Sequence, residues 1–235
     1  MRVAALIPAY EAAAHLGEVL LRLSRQTDPP QVLVVDDGSR DATAEVAREH
    51  GARVVSFAGN RGKGHALLAG FRALADFDAV VTLDADGQHP PECFPAFVQA
   101  APGADLVLGT RTRNHAMPTS RRFANGFSSG WTARLAGQTV TDSQCGMRLY
   151  RRELLERTPI TPGRYEFETE VIVRAARLGF RVREIEIPTV YGEERSQIQA
   201  FRDVPRIVLT LARLSWEGLL PPPAMRAAAR SGRAA

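Results

Sequence analysis

The stretch VVTLDADGQH, from Val80 to His89, joins a short apolar run to a cluster of polar side chains. The run AVVTL that ends at position 83 has the length and composition of a buried strand. Asp84 and Asp86 follow at once, with Gln88 and His89 close behind. Parallel α/β sheets bind their ligands beyond the carboxyl ends of the strands. The stretch therefore predicts a parallel sheet with a polar site at the end of this strand.

The first half of the chain repeats this alternation of strand and helix. Strands are predicted at residues 2–10, 31–37, 52–57, 78–84 and 104–110, and helices at 11–26, from Ser39 or Asp41 to about 50, and at 63–75. Beyond residue 112 we predict helices at 122–136, 166–178 and 202–220 and strands within 142–153 and 180–191. This order favours an α/β fold with a mostly parallel sheet covered by helices on both faces. The later strands are expected to join the same sheet.

The composition is ordinary for a soluble globular protein, with 235 residues, 45% hydrophobic and 24% charged. We predict one domain over 1–200, an amphipathic helix over 201–220 and a disordered basic tail over 221–235. The net charge is +4, but no zinc-finger, RNA-binding or basic heptad pattern points to nucleic acid. Cys93 and Cys145 form no disulfide framework, which is compatible with a reducing cytosol. Neither a signal peptide nor a membrane-spanning helix is expected.

A second acidic pair, Asp36 and Asp37, follows the strand QVLVV. If that strand and the strand before Asp84 are parallel neighbours, the acids share one crevice. Carboxylates that lie close together repel unless a cation lies between them. Mg²⁺ takes one or two carboxylates and completes its shell with water and substrate phosphate. Asp84, Asp86 and Gln88 are therefore candidate metal ligands, with a solvated turn as the alternative.

The glycine-rich stretch GNRGKGHALLAGF opens the helix that starts at Lys63, the only lysine of the chain. Backbone N–H groups at the start of a helix bind phosphate. The stretch is not a Walker A loop, because Gly64 stands where serine or threonine is required. A phosphate cradle and a plain tight turn both remain open here. His89, beside the acidic cluster, is expected in a supporting role rather than as a ligand.

Six motifs occur in a fixed order: LIPAYEAAAHL, VVDDGSRDAT, NRGKGHALLAGF, TLDADGQHPPE, GTR and DSQCGMRLYRRE. Together they resemble family 2 glycosyltransferases of the GT-A fold. Within this family they look most like dolichol-phosphate mannosyltransferases and their bacterial polyprenyl-phosphate relatives. The resemblance covers residues 1–207 and implies a metal-dependent enzyme that uses a nucleotide sugar.

The resemblance assigns the donor side of the site. The residues expected to bind the nucleotide sugar are Pro8, Tyr10, Glu11, Asp36, Asp37, Lys63, Asp84 and Ala85. Within this set, the two acids at 36 and 37 match those that contact the nucleoside. The D-x-D-x-Q motif formed by Asp84, Asp86 and Gln88 matches a site for Mg²⁺ or Mn²⁺.

The resemblance also implies that arginines bind the acceptor. Arg111 matches an arginine that contacts the acceptor phosphate in the polyprenyl-phosphate enzymes, and Arg121 or Arg122 matches a second one. Those enzymes commonly carry a G-E-S-K stretch, and here Gln197 replaces its lysine. Arg195 is the candidate that supplies the missing charge.

The acceptor decides whether a base is required. A sugar hydroxyl must lose a proton to a placed base, for which Asp142 is the best candidate. A phosphate is already ionised at neutral pH and needs arginines such as Arg111 to position it. Asp86 has a catalytic role in either case, because a metal there stabilises the departing diphosphate.

The favoured hypothesis is an inverting transfer of mannose or glucose from GDP-mannose or UDP-glucose to a polyprenyl or dolichyl phosphate. The alternatives are transfer to a soluble or glycan hydroxyl, and a non-catalytic domain that only binds nucleotide sugars.

The C-terminal helix carries an apolar stripe: Val204, Ile207, Val208, Leu211 and Leu214. Such a stripe either lies in a membrane surface, with Trp216 at the interface, or packs on the core of the domain. We expect a cytoplasmic protein with peripheral contact to the inner face of the membrane.

Overall fold

The computed structural model describes residues 1–111, 119–161, 163, 166–188 and 200–219. The strands are β1 (Val3–Ala9), β2 (Gln31–Asp36), β3 (Arg53–Ser56), β4 (Ala79–Thr82), β5 (Leu106–Arg111), β6 (Arg148–Arg151) and β7 (Val182–Ile187). The helices are α1 (Ala13–Ser24), α2 (Thr43–Glu49), α3 (Lys63–Ala73), α4 (Phe94–Ala100), α5 (Thr119–Ala136), α6 (Arg152–Arg157), α7 (Glu166–Arg177) and α8 (Ala200–Leu219), with a short 3₁₀ turn at Pro91–Cys93.

The described strands form one sheet in the order β3-β2-β1-β4-β6-β5-β7. Strand β6 runs antiparallel to β4 and β5, and all other pairs are parallel. The predicted α/β fold with a mostly parallel sheet is therefore confirmed, and the later strands do join it. Because β6 is antiparallel, it begins where β4 and β5 end. Residues 142–147 consequently reach the carboxyl edge of the sheet.

The two acidic strand ends are not on neighbouring strands, since β1 lies between β2 and β4. The condition that these strands are direct neighbours is therefore not met. Both still end at the same edge, because β1 is parallel to each of them. Asp36 and Asp84 therefore flank the end of β1 on either side.

The sheet is buried on both faces, as expected for strands sandwiched between helices. In β1, Ala5 and Ile7 belong to one apolar cluster, and Ala4 and Leu6 belong to the other. Helices α1, α2 and α4 contribute side chains to the first cluster, whereas α3 and α7 contribute to the second. The alternation along β1 thus places one helical layer on each face.

Helix α8 packs on the domain through the greater part of the predicted stripe. Ile207, Leu211 and Leu214 are buried, whereas Val208 is exposed. The side chain of Val204 lies outside the described residues, as does the predicted basic tail from residue 221 onward. Ile207, Leu211 and Leu214 are therefore part of the core rather than of a membrane surface. No helix in the described ranges is both long and apolar enough to cross a membrane.

Buried ion pairs also connect α8 to α7. Arg174 donates from Nε to Glu170 Oε1 at 2.6 Å and pairs with Glu217 of α8 at 2.9 Å. Arg213 of α8 reaches back to Glu170 at 3.0 Å. Removing one member of such a network leaves an uncompensated buried charge, so it fixes the register of the two helices.

Candidate active site

Lys63 forms the centre of the site at the end of β4. Its Nζ lies 2.6 Å from Oδ1 of Asp84 and 2.9 Å from Oε1 of Glu168. Lys63 is the first residue of α3, and Glu168 lies in the first turn of α7. The ammonium group therefore joins both helices to the strand end that carries the D-x-D motif.

Lys63 and Asp84 both favour their charged forms. Burial by itself lowers the pKa of Lys63, but Asp84 and Glu168 raise that pKa well above its ordinary value. For Asp84, burial raises the pKa, and Lys63 outweighs burial so that the pKa falls below its usual range. The ammonium is thus engaged by carboxylates, and its predicted contact with donor phosphate stays a prediction.

Asp86 forms no salt bridge with a lysine or arginine in the described part of the chain. Its Oδ1 accepts a hydrogen bond from the backbone N–H of Gln88 at 3.0 Å. Burial and the nearby Asp84 carboxylate raise the pKa of Asp86 above its ordinary value. A divalent cation would relieve both effects, so these residues fit a metal.

The protein itself offers only part of a metal shell. Within the described residues, no group of three or more His, Cys, Asp or Glu side chains is arranged to hold a metal ion. A partial shell of one or two carboxylates is what Mg²⁺ uses when substrate phosphate supplies further ligands.

Gly146 makes the close packing at Asp84 possible. A Cβ atom at this position would lie 2.1 Å from Oδ2 of Asp84, so any other residue would force the carboxylate or the backbone to move. The carbonyl of Gly146 also accepts a hydrogen bond from Oγ1 of Thr82 at 2.8 Å. The backbone at Gly146, which leads into the antiparallel strand β6, therefore packs directly against Asp84 of the D-x-D motif.

His89 lies beside this cluster and is buried. Its Nε2 is 4.0 Å from Oδ2 of Asp84 and 3.8 Å from Sγ of Cys145. Burial lowers the pKa of His89 below its ordinary value, which favours the neutral imidazole. This position beside the acids agrees with a supporting role.

Asp36 and Asp37 are buried, and their carboxylates accept hydrogen bonds from backbone N–H groups. Asp37 accepts hydrogen bonds from the N–H groups of Arg61 and Gly62 at 2.7 and 2.8 Å. Asp36 accepts one from the N–H of Ser39 at 2.9 Å. The loop before α3 is thereby fixed to the end of β2. Their predicted contact with the nucleoside stays a prediction.

Glu11 adopts a left-handed backbone with φ of 50°, unique among the described non-glycine residues. Its N–H donates to Oγ of Ser39 at 3.0 Å, and its Oε1 accepts from the N–H of Arg40 at 2.8 Å. Such strain costs about 1–3 kcal/mol and concentrates at functional sites. Pro8, in β1, and Tyr10 lie on the same strand end, where the nucleotide was predicted.

Arg111 and Asp142 form a forked ion pair at the end of β5. Arg111 donates from Nε to Oδ2 at 2.6 Å and from Nη2 to Oδ1 at 2.9 Å. Burial raises the pKa of Asp142, but the hydrogen bonds and charge of Arg111 outweigh it and hold the pKa below its usual range. Asp142 is accordingly a weak base.

The remaining acceptor arginines cannot be placed. The side chains of Arg121 and Arg122 and the whole of Arg195 lie outside the described residues.

Ala85 is buried between the two acids of the D-x-D motif. Arg148 is also buried and donates to three backbone carbonyls, those of residues 143, 145 and 168.

The sequence reasoning missed Glu168 and Gly146. Glu168 sits in the pattern EFETE, in which nothing distinguishes it from its neighbours. Gly146 lies inside the quoted motif DSQCGMRLYRRE, and its contact with Asp84 depends on the antiparallel strand. Both contacts join segments far apart in the chain.

The family model described as glycosyl transferase family 2 matches residues 4–158. The chain belongs to glycosyl transferase family 2. The predicted family is thereby confirmed, and the protein is a glycosyltransferase.

Two named relatives share this family 2 glycosyltransferase's sequence over the greater part of its length. It is 33% identical over 237 residues to undecaprenyl-phosphate mannosyltransferase of Micrococcus luteus, covering 93% of this chain and 98% of that protein. It is 36% identical over 190 residues to dolichyl-phosphate hexose transferase of Haloferax volcanii, covering 79% of this chain and 82% of that protein.

Solved structures support the fold of this family 2 glycosyltransferase. A mycobacterial protein aligns with a TM-score of 0.75 at 25% identity, covering 90% of this chain and 74% of that one. Glucosyl-3-phosphoglycerate synthase of Mycobacterium tuberculosis, solved with Mn²⁺, UDP and glucosyl-3-phosphoglycerate, aligns with a TM-score of 0.74 at 23% identity, covering 90% of this chain and 79% of that one.

Proposed function

We propose that this glycosyltransferase moves a hexose, mannose or glucose, from GDP-mannose or UDP-glucose to a polyprenyl phosphate, with inversion at the sugar carbon. The observation that carries the proposal is the forked ion pair between Arg111 and Asp142. Two relatives whose names specify undecaprenyl phosphate and dolichyl phosphate as acceptors support the same substrate class.

The ion pair between Arg111 and Asp142 favours a phosphate acceptor over a sugar hydroxyl. Asp142 is the candidate base for a sugar hydroxyl, and a base works best when its pKa is near the operating pH. Arg111 moves the pKa of Asp142 in the opposite direction, below the usual carboxyl range. A phosphate acceptor needs no base, since it is already ionised at neutral pH.

Arg111 suits the phosphate acceptor in turn. A guanidinium has its N–H donors in one plane, and Nε and Nη2 of Arg111 both bond to Asp142. Those bonds fix the plane of the group, and a fixed fork matches the oxygens of a phosphate. Arg111 therefore orients the acceptor oxygen, while Asp142 holds Arg111.

Asp86 and Gln88 would hold a Mg²⁺ or Mn²⁺ ion together with Asp84, which Lys63 also engages. When bound, a divalent cation stabilises the negative charge that develops on the departing nucleoside diphosphate. The strand ends around Glu11 and Asp37 bind the nucleotide, and the internal hydrogen bonds of these residues keep that surface rigid. The sugar carbon passes through a cation-like state as its bond to the diphosphate breaks.

The test is release of nucleoside diphosphate in the presence of different acceptors. The protein is incubated with Mg²⁺ or Mn²⁺ and with GDP-mannose and UDP-glucose in parallel. We expect release to accelerate with a short polyprenyl phosphate and not with soluble sugars. Acceleration by sugars alone would support the hydroxyl-acceptor alternative, and nucleotide binding without turnover would support a non-catalytic domain.

The proposed place of action is the cytoplasmic face of a membrane, through peripheral contact. The outward side of α8 carries Leu209 and Trp216, which are 68% and 69% exposed. Phe127 of α5 is 54% exposed and stacks edge-on with Trp131, which donates to Ser215 of α8 at 3.2 Å. Aromatic and aliphatic side chains of this kind insert at the membrane interface.

Co-sedimentation with anionic lipid vesicles tests this contact. The double variant Leu209→Ser with Trp216→Ser should lose vesicle binding, whereas Ala212→Ser on the same exposed side should keep it. Equal binding by the double variant would exclude this surface.

A further inference from the structure

Glu168 reaches the candidate active site from α7, a helix on which the family motifs of the sequence place no site residue. Its side chain is 4% exposed, and its Oε1 accepts from Nζ of Lys63 at 2.9 Å. Its backbone carbonyl accepts from Nη1 of the buried Arg148 at 2.7 Å. Glu168 is therefore held at both ends, and among the described residues its carboxylate pairs with the ammonium that also binds Asp84.

We propose that Glu168 and Lys63 are positioning residues that set the orientation and the charge of Asp84 at the metal site. The proposal rests on the metal part of the proposed function. Lys63 acts here by holding a carboxylate rather than by binding donor phosphate. Glu168 acts through Lys63, because it shares the ammonium with Asp84.

The charges of the cluster match a divalent cation. Asp84, Asp86 and Glu168 supply three carboxylates, and Lys63 supplies one ammonium, which leaves two negative charges. Without Glu168, Lys63 alone would neutralise Asp84, and the site would attract a dication less strongly. Without Lys63, the excess negative charge would attract it more strongly, although Asp84 would lose its anchor.

The geometry also argues against a phosphate role for Lys63. Its side chain is 16% exposed, and the two carboxylates approach its Nζ to 2.6 and 2.9 Å. Donor phosphate would have to displace one of these bonds. A buried cation that loses its carboxylate partner leaves that partner uncompensated, which is strongly unfavourable.

The experiment measures Mn²⁺ affinity by electron paramagnetic resonance, without nucleotide, in wild type, Glu168→Gln and Lys63→Met. We expect the dissociation constant to rise about tenfold in Glu168→Gln and to fall in Lys63→Met, since one unit charge at close range changes cation binding by at least this factor. The matched control is Glu170→Gln, on the same helix and equally buried, whose carboxylate pairs with Arg174 and Arg213 rather than with Lys63. It should change Mn²⁺ affinity less than twofold.

Turnover is measured on the same variants. Glu168→Gln and Lys63→Met should both lower kcat, with little change in KM for the nucleotide sugar. The proposal is overturned if Mn²⁺ affinity shifts in the same direction in both variants or in neither. It is also overturned if Lys63→Met raises only KM for the donor while Glu168→Gln behaves as wild type, because Lys63 then binds phosphate.

Failure of the proposed function gives a different result. If wild type transfers no sugar to polyprenyl phosphate, the acceptor assignment fails. Opposite shifts in Mn²⁺ affinity would still support the positioning role, since that readout requires neither donor nor acceptor. Because Glu168→Gln keeps the shape of the side chain and an oxygen that accepts from Lys63, it tests the proposal even if Lys63→Met does not fold.

Discussion

The Asp142 carboxylate accepts two hydrogen bonds from the guanidinium of Arg111, at 2.6 and 2.9 Å, so the two side chains form a forked pair. The sequence suggested these residues for competing roles, one as a base for a sugar acceptor and the other as a ligand of an acceptor phosphate. Their pairing means that the same contact weakens Asp142 as a base and orients Arg111. The chemistry at this end of the sheet therefore depends on the pair.

Substituting Asp142 separates the two mechanisms. If Asp142 only orients Arg111, Asp142→Asn should keep transfer to a polyprenyl phosphate within about tenfold of wild type, because loss of a general base costs about 10²–10⁴-fold. The measurement is kcat with saturating donor and lipid phosphate. A loss of a thousandfold or more would identify Asp142 as the base.

Replacing Arg111 should affect the acceptor rather than the donor. Arg111→Lys keeps the positive charge but loses the planar fork, so KM for the lipid phosphate should rise about tenfold. KM for the nucleotide sugar should stay within twofold of wild type. Steady-state kinetics with each substrate varied in turn checks this, and a rise confined to the donor would contradict it.

The ion pair should make stability depend on pH in acid. The pKa of Asp142 is lower in the folded protein than its unfolded value of about 3.9. The group therefore contributes stability above the unfolded pKa, and this contribution is lost as the pH falls through the folded pKa. Urea unfolding is measured at pH 7 and at pH 3. The free energy of unfolding of wild type should exceed that of Asp142→Asn by more at pH 7 than at pH 3. An equal difference at both values would count against the pair.

Gly146 should tolerate no side chain. Its Cβ would lie 2.1 Å from Oδ2 of Asp84, so Gly146→Ala must displace that carboxylate or the backbone. We expect a lower melting temperature and a large loss of turnover. The control is Gly130→Ala in α5, where a Cβ meets nothing within 4 Å and where alanine stabilises a helix by about 1 kcal/mol. Normal turnover in Gly146→Ala would show that Asp84 is not fixed by this contact.

The sequence predicted the first half of the fold well because its signals are local. Apolar runs and helical spacing up to position 83 correspond to β1 through β4 with their intervening helices. Helix α4 was missed because prolines at 90, 91 and 95 resemble a loop, although proline is tolerated in the first turn of a helix. The antiparallel course of β6 has no local signature, since strand direction is decided by long-range pairing.

The candidate site likewise combines local motifs, which the sequence predicts, with long-range contacts, which it does not. The D-x-D motif was recognised because its residues are adjacent in the chain and end a strand. Glu168 was missed because its partner, Lys63, is 105 residues away, and no spacing rule connects them. The apolar stripe of α8 contained Ile207 and Leu211, which pack inward, while the exposed Leu209 lay outside that stripe. Two apolar sides of one helix cannot be assigned to core or surface without the packing.

The most direct test of the central claim is transfer of labelled sugar into an organic-extractable lipid. Wild type is incubated with a short polyprenyl phosphate and labelled GDP-mannose or UDP-glucose, with Mn²⁺ or with a chelator, beside Asp86→Ala. We predict label in the lipid phase with one donor, dependent on Mn²⁺ and absent in Asp86→Ala. Label that stays in the aqueous phase with both donors, while diphosphate is released to soluble acceptors, would contradict the account.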